Sequence, residues 1–176
     1  MRKALLGLAL AFLMTGGSAS AETLVEWEWI EGVTGSDLPF DVGPFHSSAR
    51  SRLVGDGSAS INLKTGLLTF EVKRLSLARP APDLPEGSDT FARAIGAAGG
   101  GTWIGTIVCN SLSASADSVD SGPVEFVEGS GRFRGFVELP ASCLVDAPRE
   151  IAFLLRAYED GAGGPFVAFG AGRSFR

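Results

Sequence analysis

Histidine is almost missing from this 176-residue chain, and His46 is its only one. A hydrolase triad needs a nucleophile, a base and a residue to orient the base, and a closed zinc site wants four ligands. One imidazole leaves both short of groups, so the sequence offers no catalytic set and no motif that asks for a metal or cofactor. Asp37 and Asp41 share the Gly- and Pro-rich stretch 32–48 with His46, but at no recognisable ligand spacing, and a solvated loop histidine is the simpler reading. Tyrosine occurs once and tryptophan three times, too thin an aromatic supply for the two girdles of an outer-membrane barrel. Glycines cluster at 99–101, yet they precede a strand pattern and lack the Lys-Ser/Thr ending of a phosphate loop.

Long apolar runs are also lacking. The longest, Ala4 to Met14, is eleven residues, against the roughly 20 that span a bilayer. It follows Arg2-Lys3 and leads to Ala19-Ser20-Ala21, a small-x-small exit. Charged start, apolar middle and small-residue end predict a cleaved export signal over 1–21. The mature chain, 22–176, is expected to be a single domain with no integral membrane span, secreted or periplasmic. It keeps 13 Lys and Arg against 20 Asp and Glu, a net charge of −7, which disfavours nucleic acid and anionic lipid as partners. Arg132 and Arg134 are the nearest thing to a basic cluster, and alternation places both on a solvated outer face.

Only two cysteines are present, Cys109 and Cys143. In an exported chain they predict a disulfide, closing a loop of about 35 residues.

What the sequence does have is period-two alternation. The stretch 57–77, GSASINLKTGLLTFEVKRLSL, buries Ala59, Ile61 and Leu63, turns, and buries Leu68, Phe70 and Val72. Lys64-Thr65-Gly66 fits a three-residue loop with Gly66 left-handed. The apolar parity slips after Arg74, which predicts a bulge. Val25, Trp27 and Trp29 alternate with Glu26 and Glu28; that carboxylate pair could in principle serve glycoside chemistry, though two residues apart on one strand face they are expected in water. The segment 102–110 is apolar on both parities, as a covered strand would be. The stretch 111–120 reads as an exposed loop. A second hairpin is expected over 119–127 and 132–139, turning at 129–131, with Pro140 ending it. Residues 148–158 could pass for a helix, but their β-branched and aromatic content predicts a strand, returning over 165–173. The Pro- and Gly-rich 79–101 is a long crossover.

The fold expected is therefore all-β: an antiparallel barrel or sandwich of about eight strands with one disulfide, the barrel preferred. The hairpin GDGSASINLKTGLLTFEVKRLSL, with GTWIGTIVCN and GRFRGFVELPASC, resembles chordin-type (CHRD) domains and similar exported bacterial β-domains. The resemblance implies an exported β-domain with paired cysteines. Such domains usually carry a histidine pair after the hairpin, and 79–101 has none, so no metal site and no catalytic residue carries over.

Two functions follow as expectations. One is a non-catalytic exported β-domain with a structural or protein-interaction role in the envelope or extracellular space. The other is a barrel that holds a small apolar ligand in a cavity lined by Trp27, Trp29, Phe70 and Trp103.

Overall fold

The computed structural model describes residues 24–33, 41–47, 53–77, 100–145 and 150–176. The segment read as an export signal, Asp37 and the stretch 79–99 lie outside them. The described elements are β1 (Leu24–Gly32), β2 (Asp41–Val42), β3 (Phe45–His46), β4 (Leu53–Asn62), β5 (Leu67–Leu77), β6 (Gly101–Cys109), β7 (Asp117–Asp120), β8 (Val124–Phe126), β9 (Gly131–Phe136), α1 (Ser142–Val145), β10 (Ala152–Glu159) and β11 (Ala162–Phe175).

One sheet contains all the strands except β2 and β3, which form a small hairpin of their own. Its order is β7-β6-β10-β11-β1-β4-β5-β9, with every named pairing antiparallel, and it curls into a half-barrel. β8 shares the β7 side of β6, pairing Val124 with Trp103 while β7 pairs further along, from Thr106 to Cys109. The alternation read over 57–77 is realised here. Ala59, Ile61, Leu68, Phe70 and Val72 are buried, while Ser58, Glu71 and Lys73 face out.

The loop between β4 and β5 is one residue longer than expected. Asn62 pairs with Leu67, leaving four residues between them. The Asn62 side-chain oxygen accepts from the backbone N–H of both Lys64 and Thr65, at 3.0 Å each. That Asx turn satisfies the two donors and sets the longer loop. Gly66 is left-handed as predicted, with φ of 74°. A Cβ there would also lie 2.2 Å from the carbonyl oxygen of Val137, and Val137 N–H donates to the Gly66 carbonyl at 2.9 Å. Gly66→Ala is expected to cost upwards of about 2 kcal/mol, from backbone strain and a clash with an atom that cannot rotate away. A urea midpoint unchanged from the native protein would contradict this.

The bulge lies where the parity slip puts it. Pairing jumps from Asp56↔Lys73 to Val54↔Ser76, and Arg74 takes a positive φ of 56°. The segment expected as a loop, 111–120, instead ends in β7. The second hairpin turns one residue earlier than expected: Glu128 and Gly129 both have positive φ, between the bridged residues Val127 and Ser130. This two-residue primed turn matches the twist of the strands it joins. Beyond that bridge the arms part, β8 going to β6 and β9 to β5. The hairpin thus ties the two sides of the half-barrel together at one end. At the other end the chain leaves β9 for α1, where Cys143 is bonded to Cys109 of β6, with 5.1 Å between their Cα atoms.

β10 is a strand, as the residue types predict, and it joins β11 through a second two-residue turn at Asp160-Gly161. Two apolar layers result. The main one, inside the curl, holds Val25, Trp27, Ile61, Phe70, Trp103, Ile107, Phe153, Leu155 and Val167. The second holds Val33, Val108, Leu154 and Phe166, with Val42 and Phe45 of the β2–β3 hairpin packed against them. Both faces of β6 are therefore covered, which explains its apolar residues on both parities.

Candidate functional site

Three of the four residues expected to line a cavity do meet inside the curl. Trp27, Phe70 and Trp103 are 2%, 1% and 1% exposed. Their surroundings are other rings. Phe153 lies 5.9 Å from Trp27 and 5.4 Å from Phe70, Phe133 stacks on Phe70 at 5.6 Å, and Phe126 lies 5.7 Å from Trp103. Gly105 of β6 makes room for this cluster, since a Cβ there would sit 2.5 Å from Phe70 and 2.9 Å from Phe153. Phe153 and Phe126 were legible in the sequence only as strand residues. The indole N–H of Trp103 is buried with no hydrogen-bond partner among the described residues.

Trp29 does not join them. It is 48% exposed, while Ile30 is buried in its place. The alternation of β1 breaks at Glu28-Trp29, beside Gly172 of β11, whose φ is 64°. The Trp29 ring lies over Gly172, with ring carbons 2.6–2.9 Å from where a Cβ would stand. The same device serves Trp27, which lies over Gly170.

A groove of about 360 Å³ opens nearby on the outer face of β1, β4, β5 and β11. Strand register arranges its lining in two rows. Ser174, Glu26, Ser60 and Thr69 are successive cross-strand neighbours, and so are Ser58 and Glu71 in the row of Glu28. Glu26 pairs with Arg176 at 3.0 Å and Glu71 with Lys73 at 3.1 Å. Arg132 and Arg134 of β9 continue the rows opposite Glu71 and Thr69, exposed as expected. Glu28 is exposed and Glu26 half-buried; the two expected in water line this groove.

A second polar cluster sits between the sheet and the β2–β3 hairpin. Arg156 of β10 is 8% exposed. Its Nε donates to the Gly164 carbonyl at 2.8 Å and its Nη2 to the Gly163 carbonyl. Its Nη1 reaches Asp120 at 3.3 Å, Asp120 also accepts from Thr106 Oγ1 at 2.6 Å, and the Phe45 ring stacks 4.3 Å from the guanidinium. Burial pushes the guanidinium below its ordinary value and Asp120 pulls it back up. With the cation filled on every side by protein groups, this cluster is a clasp holding β6, β7, β10, β11 and the hairpin. Arg156→Ala is expected to cost about 3 kcal/mol by orphaning two carbonyls and the ring, whereas Asp120→Asn, at a half-exposed partner, costs less than about 1 kcal/mol. Equal losses in urea denaturation would contradict the asymmetry.

His46 Nδ1 and Asp41 Oδ1 lie 2.6 Å apart on the exposed β2–β3 hairpin. No group of three or more His, Cys, Asp or Glu among the described residues is placed to hold a metal ion. No helix among them is long and apolar enough to cross a membrane, and the disulfide is compatible with a non-cytoplasmic protein. Comparison of the chain with family models, with curated proteins and with solved structures gives no match.

Proposed function

We propose that this chain is an exported, non-catalytic β-domain that acts by interaction, in the cell envelope or outside the cell, after loss of residues 1–21. The observation that carries this over the apolar-ligand reading is the ring packing inside the curl. Where an apolar ligand would lie between Trp27, Phe70 and Trp103, the rings of Phe153, Phe133 and Phe126 lie instead. A close-packed interior leaves the outer surface to do the work, and small barrels are often filled in this way. The disulfide supports an oxidising compartment. The chordin-type resemblance points the same way and rests on the quoted hairpin and cysteine segments.

Titration with N-phenyl-1-naphthylamine, which brightens in apolar cavities, tests the interior. The reading expects no saturable rise in fluorescence. A one-to-one rise displaced by a fatty acid would establish the ligand-holding barrel instead. Mass analysis of chain exported by a bacterial host is expected to find cleavage after Ala21.

A further inference from the structure

The outer-face groove has a chemistry of its own, and it rests on the interaction reading just given. We infer that it binds an uncharged oligosaccharide, with Trp29 as the platform on which one sugar ring stacks.

Residues paired across antiparallel strands carry their side chains on the same face. Gly172 lies across from Glu28, between the pairs Trp27↔Arg173 and Trp29↔Ala171, and two residues before Ser174; Glu28 and Ser174 line the groove, so the Trp29 ring laid over Gly172 stands at its margin, outside the lining itself. The ring is held against backbone and leaves nearly half its surface to solvent. A rigid aromatic fixed this way offers a large apolar face at small entropic cost.

A sugar ring presents C–H groups on its faces and hydroxyls around its edge. The groove presents the carboxylate of Glu28, those of Glu26 and Glu71 beside their partners Arg176 and Lys73, the Arg176 guanidinium as a donor, and the hydroxyls of Ser58, Ser60, Thr69 and Ser174 as donors or acceptors. Hydroxyl donation to a carboxylate is a charge-assisted bond, the strong kind. The volume of about 360 Å³ falls at the small end of the roughly 300–1,000 Å³ of ligand pockets.

Glu26 is paired with Arg176 and Glu71 with Lys73, so the charges of the groove largely pair off and leave little net charge to draw an ionic ligand. Among the described residues, the large exposed apolar side chains other than Trp29, which are Leu112, Val127, Phe136 and Leu144, stand on elements outside the groove.

The test uses the processed chain with cellohexaose, chitohexaose, maltohexaose and xylohexaose as probes and polygalacturonate as the acidic comparison, read by calorimetry and by tryptophan fluorescence. At least one hexaose is expected to bind with a dissociation constant of about 1 mM or tighter. Trp29→Ala is expected to weaken it by about tenfold or more, Trp29→Phe by less, and Leu112→Ala not at all. Glu28→Gln is expected to weaken it several-fold. No binding by any hexaose overturns the saccharide site and leaves the interaction reading standing. Preference for polygalacturonate, or binding that survives Trp29→Ala in a folded protein, also overturns it. Shortening of a bound hexaose would overturn the non-catalytic reading while upholding the site.

Discussion

Phe153→Ala is expected to lower the free energy of unfolding by about 3–5 kcal/mol, the range for emptying a fully buried aromatic position. Phe153 is 0% exposed, its ring lies between those of Trp27 and Phe70, and Gly105 has no side chain to move into the space. These surrounding residues come from three strands of the curled sheet, β1, β5 and β6, so the backbone cannot close on the cavity without shifting paired registers. A shift in urea midpoint at constant slope is the expected reading. A loss under about 1 kcal/mol would mean that the interior is loose or already open. The same variant bears on function: once the ring is removed, the N-phenyl-1-naphthylamine signal absent from the native chain is expected to appear.

Removing the disulfide comes next in size. Cys109 and Cys143 close 34 residues of separation, and the double variant Cys109→Ala/Cys143→Ala is expected to cost about 3–4 kcal/mol in the chain-entropy account. Both cysteines are buried in the main core. The bond is also the covalent tie at the end of the half-barrel away from the β8–β9 turn. Without it the hydrogen bond from Ser142 Oγ to Asp117, at 2.7 Å, still ties α1 to β7. Loss is therefore expected first as faster hydrogen exchange in β7 and the residues after β9, ahead of β4 and β5. Uniform exchange across all strands would contradict that order.

The parts of this structure written in local alternation were legible in the sequence. The β4–β5 hairpin, the left-handed Gly66, the bulge at Arg74 and the strand character of β10 each depend on residues within a few positions of one another. The features that were hidden depend on residues far apart. Trp29 follows Trp27 at strand spacing, and its expulsion comes from Gly172, 143 positions later, where the opposing strand turns left-handed. Arg156 shares its parity with Ala152 and Leu154, opposite Phe153 and Leu155. It is buried because Phe45, on a hairpin more than a hundred residues earlier, covers that part of the sheet. β8 was expected to pair with β9 and pairs with β6, a choice made by the curl of the whole sheet. The groove was invisible for the same reason. Glu26, Ser60, Thr69 and Ser174 become one row only when β1 has both β4 and β11 beside it.

The interior is closed by its own aromatic rings, and one tryptophan, Trp29, is turned out to solvent. Acrylamide quenching of three variants, each keeping a single tryptophan and replacing the other two by Phe, tests it most directly. The account predicts strong quenching of Trp29 and weak quenching of Trp27 and Trp103, with Trp29 alone protected when a hexaose is bound. Equal accessibility of all three, or protection of Trp27 and Trp103 by an apolar probe, would contradict it.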